Sequence, residues 1–88
     1  MPVSIVYPGQ RESMFHVNAQ WDPEAQCWFA EAEDFPGLIA EAETVEGLLQ
    51  ELTELAPELA VLNKVPIEGN RIEFELRCKR IASIPVAA

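Results

Sequence analysis

The chain lacks most of what catalysis and cofactor binding leave in a sequence. It holds one histidine, His16, and two cysteines, Cys27 and Cys78. One histidine and two scattered cysteines give no zinc-ligand spacing, and the cysteines form neither a CxxC pair nor a disulfide framework. Two reduced thiols packed as small hydrophobes on strands are expected, with one bridge between strands as the alternative. A catalytic histidine needs a nucleophile and an orienting group, and no sequence pattern supplies them. No GxGxxG, phosphate-binding loop or nucleophile elbow occurs. The expectation is therefore no enzymatic activity, no cofactor and no metal.

Positive charge is also scarce where it would matter. Between Glu12 and Asn63 there are twelve acidic residues and no lysine or arginine. From Lys64 onward, five basic residues meet three acidic ones. An acidic body repels phosphate backbones, so direct nucleic-acid binding is not expected, and the same field steers a basic protein toward the chain. No apolar run approaches the roughly 20 residues that span a bilayer. No basic stretch followed by an apolar core opens the chain, so neither membrane insertion nor a signal peptide is expected, and the location expected is cytoplasmic.

What is present is enough for one small core. Of 88 residues, 49% are hydrophobic, against a net charge of −9. A chain of this length buries roughly 60–65% of its unfolded surface, which leaves a partner or a homo-oligomer a natural source of added stability. Residues 14–88 read as a single domain. Residues 1–13, with Val3, Ile5, Val6 and Tyr7 between two prolines, read as an edge strand or a leader.

Periodicity sets the elements. Phe15, Val17, Ala19 and Trp21 alternate with polar residues, a half-buried strand. Asp22 to Gln26 is a turn, and Cys27 to Glu33 returns, with Trp28, Ala30 and Ala32 assigned inward and Phe29 outward. Pro36-Gly37 has type II turn chemistry: proline pre-sets the second position and glycine takes the positive φ of the third. Leu38 to Glu43 is a third strand. Thr44 offers its hydroxyl as a helix N-cap. Val45, Leu48, Leu49, Leu52, Leu55, Ala56, Leu59 and Leu62 then form an apolar stripe at helical spacing. Within it Gly47 weakens the first turn, and Pro57 predicts a kink or break near Ala56. Ile72 to Cys78 alternates again, and the parity slips at Ile81, as at a bulge or the end of a sheet. The fold expected is α+β, in the order β-β-β-α-β: an antiparallel three-stranded meander and a fourth strand, with the helix on one face.

Carboxylates are the abundant functional group. Glu31 and Glu33 on one strand and Glu41 and Glu43 on the next would gather into a divalent-cation site if they lay across from one another; the plainer expectation is a solvated acidic strand face. Trp21, Trp28 and Phe29 suit core packing and protein contact better than base stacking, because no basic track accompanies them. Arg77, Lys79 and Arg80 form the one basic cluster, able to pair with the acidic strands or touch another subunit.

Asp22-Pro23-Glu24-Ala25 with Trp28, then Asp34-Phe35-Pro36-Gly37-Leu38, then Glu41-Ala42-Glu43-Thr44 and the leucine-rich helix with Pro57-Glu58-Leu59 resemble the small HicB-like bacterial domains over residues 14–63. The resemblance implies a partial ribonuclease-H-like fold without nuclease activity. It also implies an antitoxin role, in which the domain blocks a small basic RNA-cleaving toxin of the HicA type and forms dimers or tetramers. The chain departs from that pattern in two places. Ala42 stands where the family's cap carries glycine, which is closer to the uncharacterised branch of the group. Only a short apolar tail follows the fourth strand, where many relatives carry a DNA-binding domain. On this reading Phe29, Glu31, Glu33, Glu41 and Glu43 are the candidate interaction surface, and Pro36, Gly37 and Thr44 are the structural turn and cap. The alternative is a stand-alone oligomer that binds a small ligand or divalent metal on the acidic sheet face.

Overall fold

A computed structural model describes residues 14–87. Four strands and one helix follow in the order β1 (Phe15–Asp22), β2 (Cys27–Ala32), β3 (Ile39–Ala42), α1 (Val45–Leu62) and β4 (Phe74–Lys79). The sheet order is β3-β2-β1-β4. β1 to β3 pair antiparallel, and β4 joins the far side of β1 in parallel. A parallel neighbour needs a crossover, and α1 with its trailing loop provides it. The expected α+β meander with a fourth strand and one helix is the architecture observed. The expected strand in residues 1–13 lies outside the described residues.

Alternation decides which side of the sheet is dry. Val17, Ala19, Trp28, Ala30 and Ala40 point to one face and are buried there against Leu48, Leu52, Ala56 and Ala60 of α1. Phe35 and Leu38 close the same core at the turn end, both 1% exposed. The opposite face carries Asn18, Gln20, Phe29, Glu31, Ile39 and Glu41, all exposed. The helix lies over β3 and β2. On the β4 side of the apolar face, Phe74 and Leu76 are therefore only half-buried.

The helix sharpens the expectation in two ways. Of the kink or break expected at Pro57, the break does not occur; α1 runs unbroken from Val45 to Leu62. The proline sits on the wet side, as does Thr53, whose carbonyl loses its partner, so water can satisfy that oxygen. The apolar stripe is also not buried throughout. Leu49 is 39% and Leu62 74% exposed, while Ala60 is buried. Steps of four residues advance about 40° per turn, so the contact line runs Leu48, Leu52, Ala56, Ala60 and leaves Leu62 outside it. Gly47 has a packing reason: a Cβ there would stand 3.3 Å from that of Ala42 and 3.1 Å from the Thr44 hydroxyl.

Several strand boundaries shift by a residue or two; β2 ends at Ala32 and β3 at Ala42, each one residue short of the expected Glu33 and Glu43. β3 begins at Ile39, because Leu38 still belongs to the turn, its N–H donating to the Phe35 carbonyl at 3.2 Å. β4 runs Phe74–Lys79 rather than Ile72 to Cys78. The parity slip marks the end of the sheet, since Ile81, Ile84 and Val86 lie beyond it and are each more than 80% exposed.

Candidate functional site: the open face of the sheet

The open face is set by the two turns that aim its strands. In the first, the Asp22 carboxylate accepts from the N–H groups of Glu24 and Ala25, at 3.0 and 3.3 Å, and closes the β1–β2 hairpin. That hairpin pairs Gln20 with Phe29 and Asn18 with Glu31. In the second, Gly37 takes φ +82°, the value a type II turn requires at its third position. The helix end reinforces this turn: the Asn63 side-chain amide donates to the Pro36 carbonyl at 2.9 Å, and Asn63 is also the C-cap of α1. At the other end of β3, the Thr44 hydroxyl accepts from the Gly47 N–H at 2.9 Å as the N-cap. Pro36, Gly37 and Thr44 thus hold β3 at both ends and orient its outer face.

The register arranges the candidate surface residues differently from the cluster anticipated. Glu41 lies across from Phe29, and Ile39 across from Glu31. Carboxylates on β2 and β3 are therefore staggered with apolar side chains instead of facing one another. Glu33 and Glu43 lie just beyond the paired segments. Among the described residues no three carboxylate, histidine or cysteine groups gather as metal ligands, so the conditional cation site does not form. What forms instead is an apolar pair, Phe29 and Ile39, at 39% and 47% exposure, interleaved with carboxylates.

Reading across the sheet, charge changes sign. Rows run Glu41, Phe29, Gln20, Lys79 and Ile39, Glu31, Asn18, Arg77 from β3 to β4. Between the two ends lies a shallow depression of about 600 Å³, lined by Asn18, Phe29, Glu31, Arg77 and Lys79 among others. Arg77 is held by Glu75 at 3.0 Å, from both Nε and a terminal nitrogen. The third member of the basic cluster points elsewhere: the Arg80 guanidinium lies 4.1 Å over the Trp21 ring, which in turn meets Trp28 edge-on.

The pairing of His16 with Asp34 escaped the sequence reading. The His16 N–H and ring Nδ1 both lie 2.9 Å from oxygens of the Asp34 carboxylate. Burial alone would raise the Asp34 pKa, but the hydrogen bonds and charge from His16 outweigh it and hold the carboxyl below its usual value. Asn18 donates to Glu33 close by, and the Glu33 N–H reaches the His16 carbonyl at 2.8 Å. These contacts pin the end of β2 to β1 just before the Phe35 turn. Counting the hairpin register back from the Asp22 turn would have found them, since Val17 pairs with Ala32 and residues 16 and 33 follow as neighbours. Cys27 and Cys78 are free thiols. The Cys27 thiol is pushed up by burial first and then by Glu41, Asp22 and Glu43.

The family described as "Domain of unknown function (DUF1902)" matches residues 14–87. Among solved structures, the crystal structure of a hypothetical protein, TTHA1013, from the extremely thermophilic bacterium Thermus thermophilus is similar, with 40% identity and a TM-score of 0.62. The match covers 83% of this chain and 99% of that one. No curated protein matches. Among the described residues, no helix is long and apolar enough to cross a membrane.

Proposed function

The chain belongs to the DUF1902 family, and from that premise we propose that it is a non-enzymatic, cytoplasmic protein-interaction domain whose acidic open face docks a small basic protein. The observation that carries this reading is the Phe29 and Ile39 pair, exposed on the face away from the helix and interleaved with Glu31 and Glu41. An apolar centre rimmed by charge is the anatomy of a docking surface, and the sign of the rim asks for lysine and arginine opposite. The resemblance to HicB-like antitoxins suggests the partner class: a basic RNA-cleaving toxin of the HicA type, neutralised by occlusion.

The test is titration calorimetry against a small basic RNA-cleaving protein encoded beside the gene. Expected is a complex that weakens steeply with salt and weakens at least tenfold in Phe29→Ala and in Glu31→Lys. Absence of binding at low salt, or binding indifferent to both substitutions, would overturn the proposal. A small ligand is the second reading, favoured by the depression between Glu31 and Arg77. Its mixed charge suits a zwitterion better than a bare cation.

A further inference from the structure

β4 is an edge strand with a charge pattern that complements itself. The sheet order leaves its outer side unpaired among the described residues. The Glu73 carbonyl accepts from the Phe15 N–H at 2.9 Å, so the odd-numbered residues of the strand turn their backbone groups toward β1. In a strand, successive residues alternate, so the backbone N–H and C=O of Phe74, Leu76 and Cys78 point outward. Side chains alternate as well. Phe74 and Leu76 lie on the helix side with Phe15 and Val17, and Glu75 and Arg77 lie on the open face with His16 and Asn18. Along that face the strand is acidic before Leu76, at Glu75, and basic after it, at Arg77 and Lys79.

The geometry points to a homodimer in which two β4 strands pair antiparallel about a twofold axis at Leu76. The outward groups of Leu76 then bond those of Leu76 in the second copy, and Phe74 pairs with Cys78. Charge selects this register over its neighbours. Moving the axis to Glu75 would set two carboxylates against each other, and moving it to Arg77 would do the same with two guanidinium groups. At Leu76, Glu75 of each copy faces Arg77 of the other. These open-face positions are the non-hydrogen-bonded pairs, where cross-strand side chains come closest. The same pairing adds cover to half-buried Phe74 and Leu76, which α1 does not reach, and removes an exposed edge. Beyond β4 the register leads each tail, with exposed Ile81 and Ile84, past residues 67–72 of the second copy, where Ile67 and Ile72 are half-buried. The result is a continuous eight-stranded sheet with β3 at both ends. It leaves the acidic β2–β3 face open and stands independently of the basic-partner reading.

Sedimentation equilibrium of the full chain alone is the test. Wild type should show a monomer–dimer equilibrium. Arg77→Glu and Glu75→Arg each set like charges across the axis twice, so each should raise the dimer Kd about tenfold or more. Both also lose the intrachain 75–77 ion pair, so an equimolar mixture separates the two causes. Across the interface of a heterodimer the charges are again opposite, so the R77E and E75R chains should dimerise together though neither does alone. A wild-type chain that is monomeric at millimolar concentration, single variants that dimerise normally, or a mixture that fails to recover would each overturn the inference.

Discussion

Gly37→Val tests whether the turn before β3 is the pivot of the fold. Gly37 has φ +82°. A side chain in that region costs roughly 1–2 kcal/mol, and a β-branched one sits at the upper end. A Cβ would also stand 3.0 Å from the Asn63 amide nitrogen. That amide donates to the Pro36 carbonyl and belongs to the residue that caps α1, so displacing it loses a further hydrogen bond worth about 1 kcal/mol. The sum is about 2–3 kcal/mol, or a fall of about 8–24 °C in Tm for a domain of this size. Circular dichroism melts with a urea titration measure it. Asn63→Ala isolates the hydrogen bond and should cost about 1 kcal/mol, with Gly37→Ala falling between the two. A Gly37→Val protein melting within about 3 °C of wild type would refute the argument. If it folded normally but lost its basic partner, the turn would have to be counted as a contact surface.

Two further expectations concern the titratable groups. The Asp34 pKa is lowered in the folded chain, so its charged form is bound more tightly than in the unfolded chain. The stability it contributes is present above the ordinary aspartate pKa and is lost as pH falls through the folded value. Asp34→Asn should therefore be less stable than wild type at pH 7, by no more than about 1 kcal/mol because the carboxylate is well solvated, and the gap should close as pH falls through the lowered folded value; a gap that persists in acid would assign the loss to packing. In alkylation with iodoacetamide followed by mass spectrometry, exposed Cys78 should be modified well before Cys27, whose thiol is pushed up by burial and by Glu41, Asp22 and Glu43. Equal rates would contradict that assignment.

Local chemistry was legible in the sequence because each such feature depends on a few neighbouring residues. Period-two alternation identified β1 and the inward face of β2, down to Phe29 on the outside. Pro36-Gly37 and Thr44 announced a turn and a cap through a backbone conformation and a hydroxyl that few residues supply. The helix was legible from its stripe across its length, but whether Pro57 would break it was not: the rule against interior proline holds where the lost bond is buried, and here Thr53 and Pro57 face water.

What only the tertiary structure decided was who stands beside whom. Composition announced an acidic domain, yet whether Glu31 and Glu33 face Glu41 and Glu43 depends on a register between β2 and β3, and one step of register changes every neighbour. The structure opposes Glu41 to Phe29 and so replaces a cation site with an apolar pair among carboxylates. His16 and Asp34, eighteen residues apart, meet only because the hairpin brings the start of β1 to the end of β2. The basic segment near the C-terminus comes to lie on the same sheet face as the acidic strands because the crossover through α1 returns β4 beside β1, away from β3. Charge along the chain is a property of sequence; the gradient across the sheet, and the self-complementary edge at its end, arise from strand order.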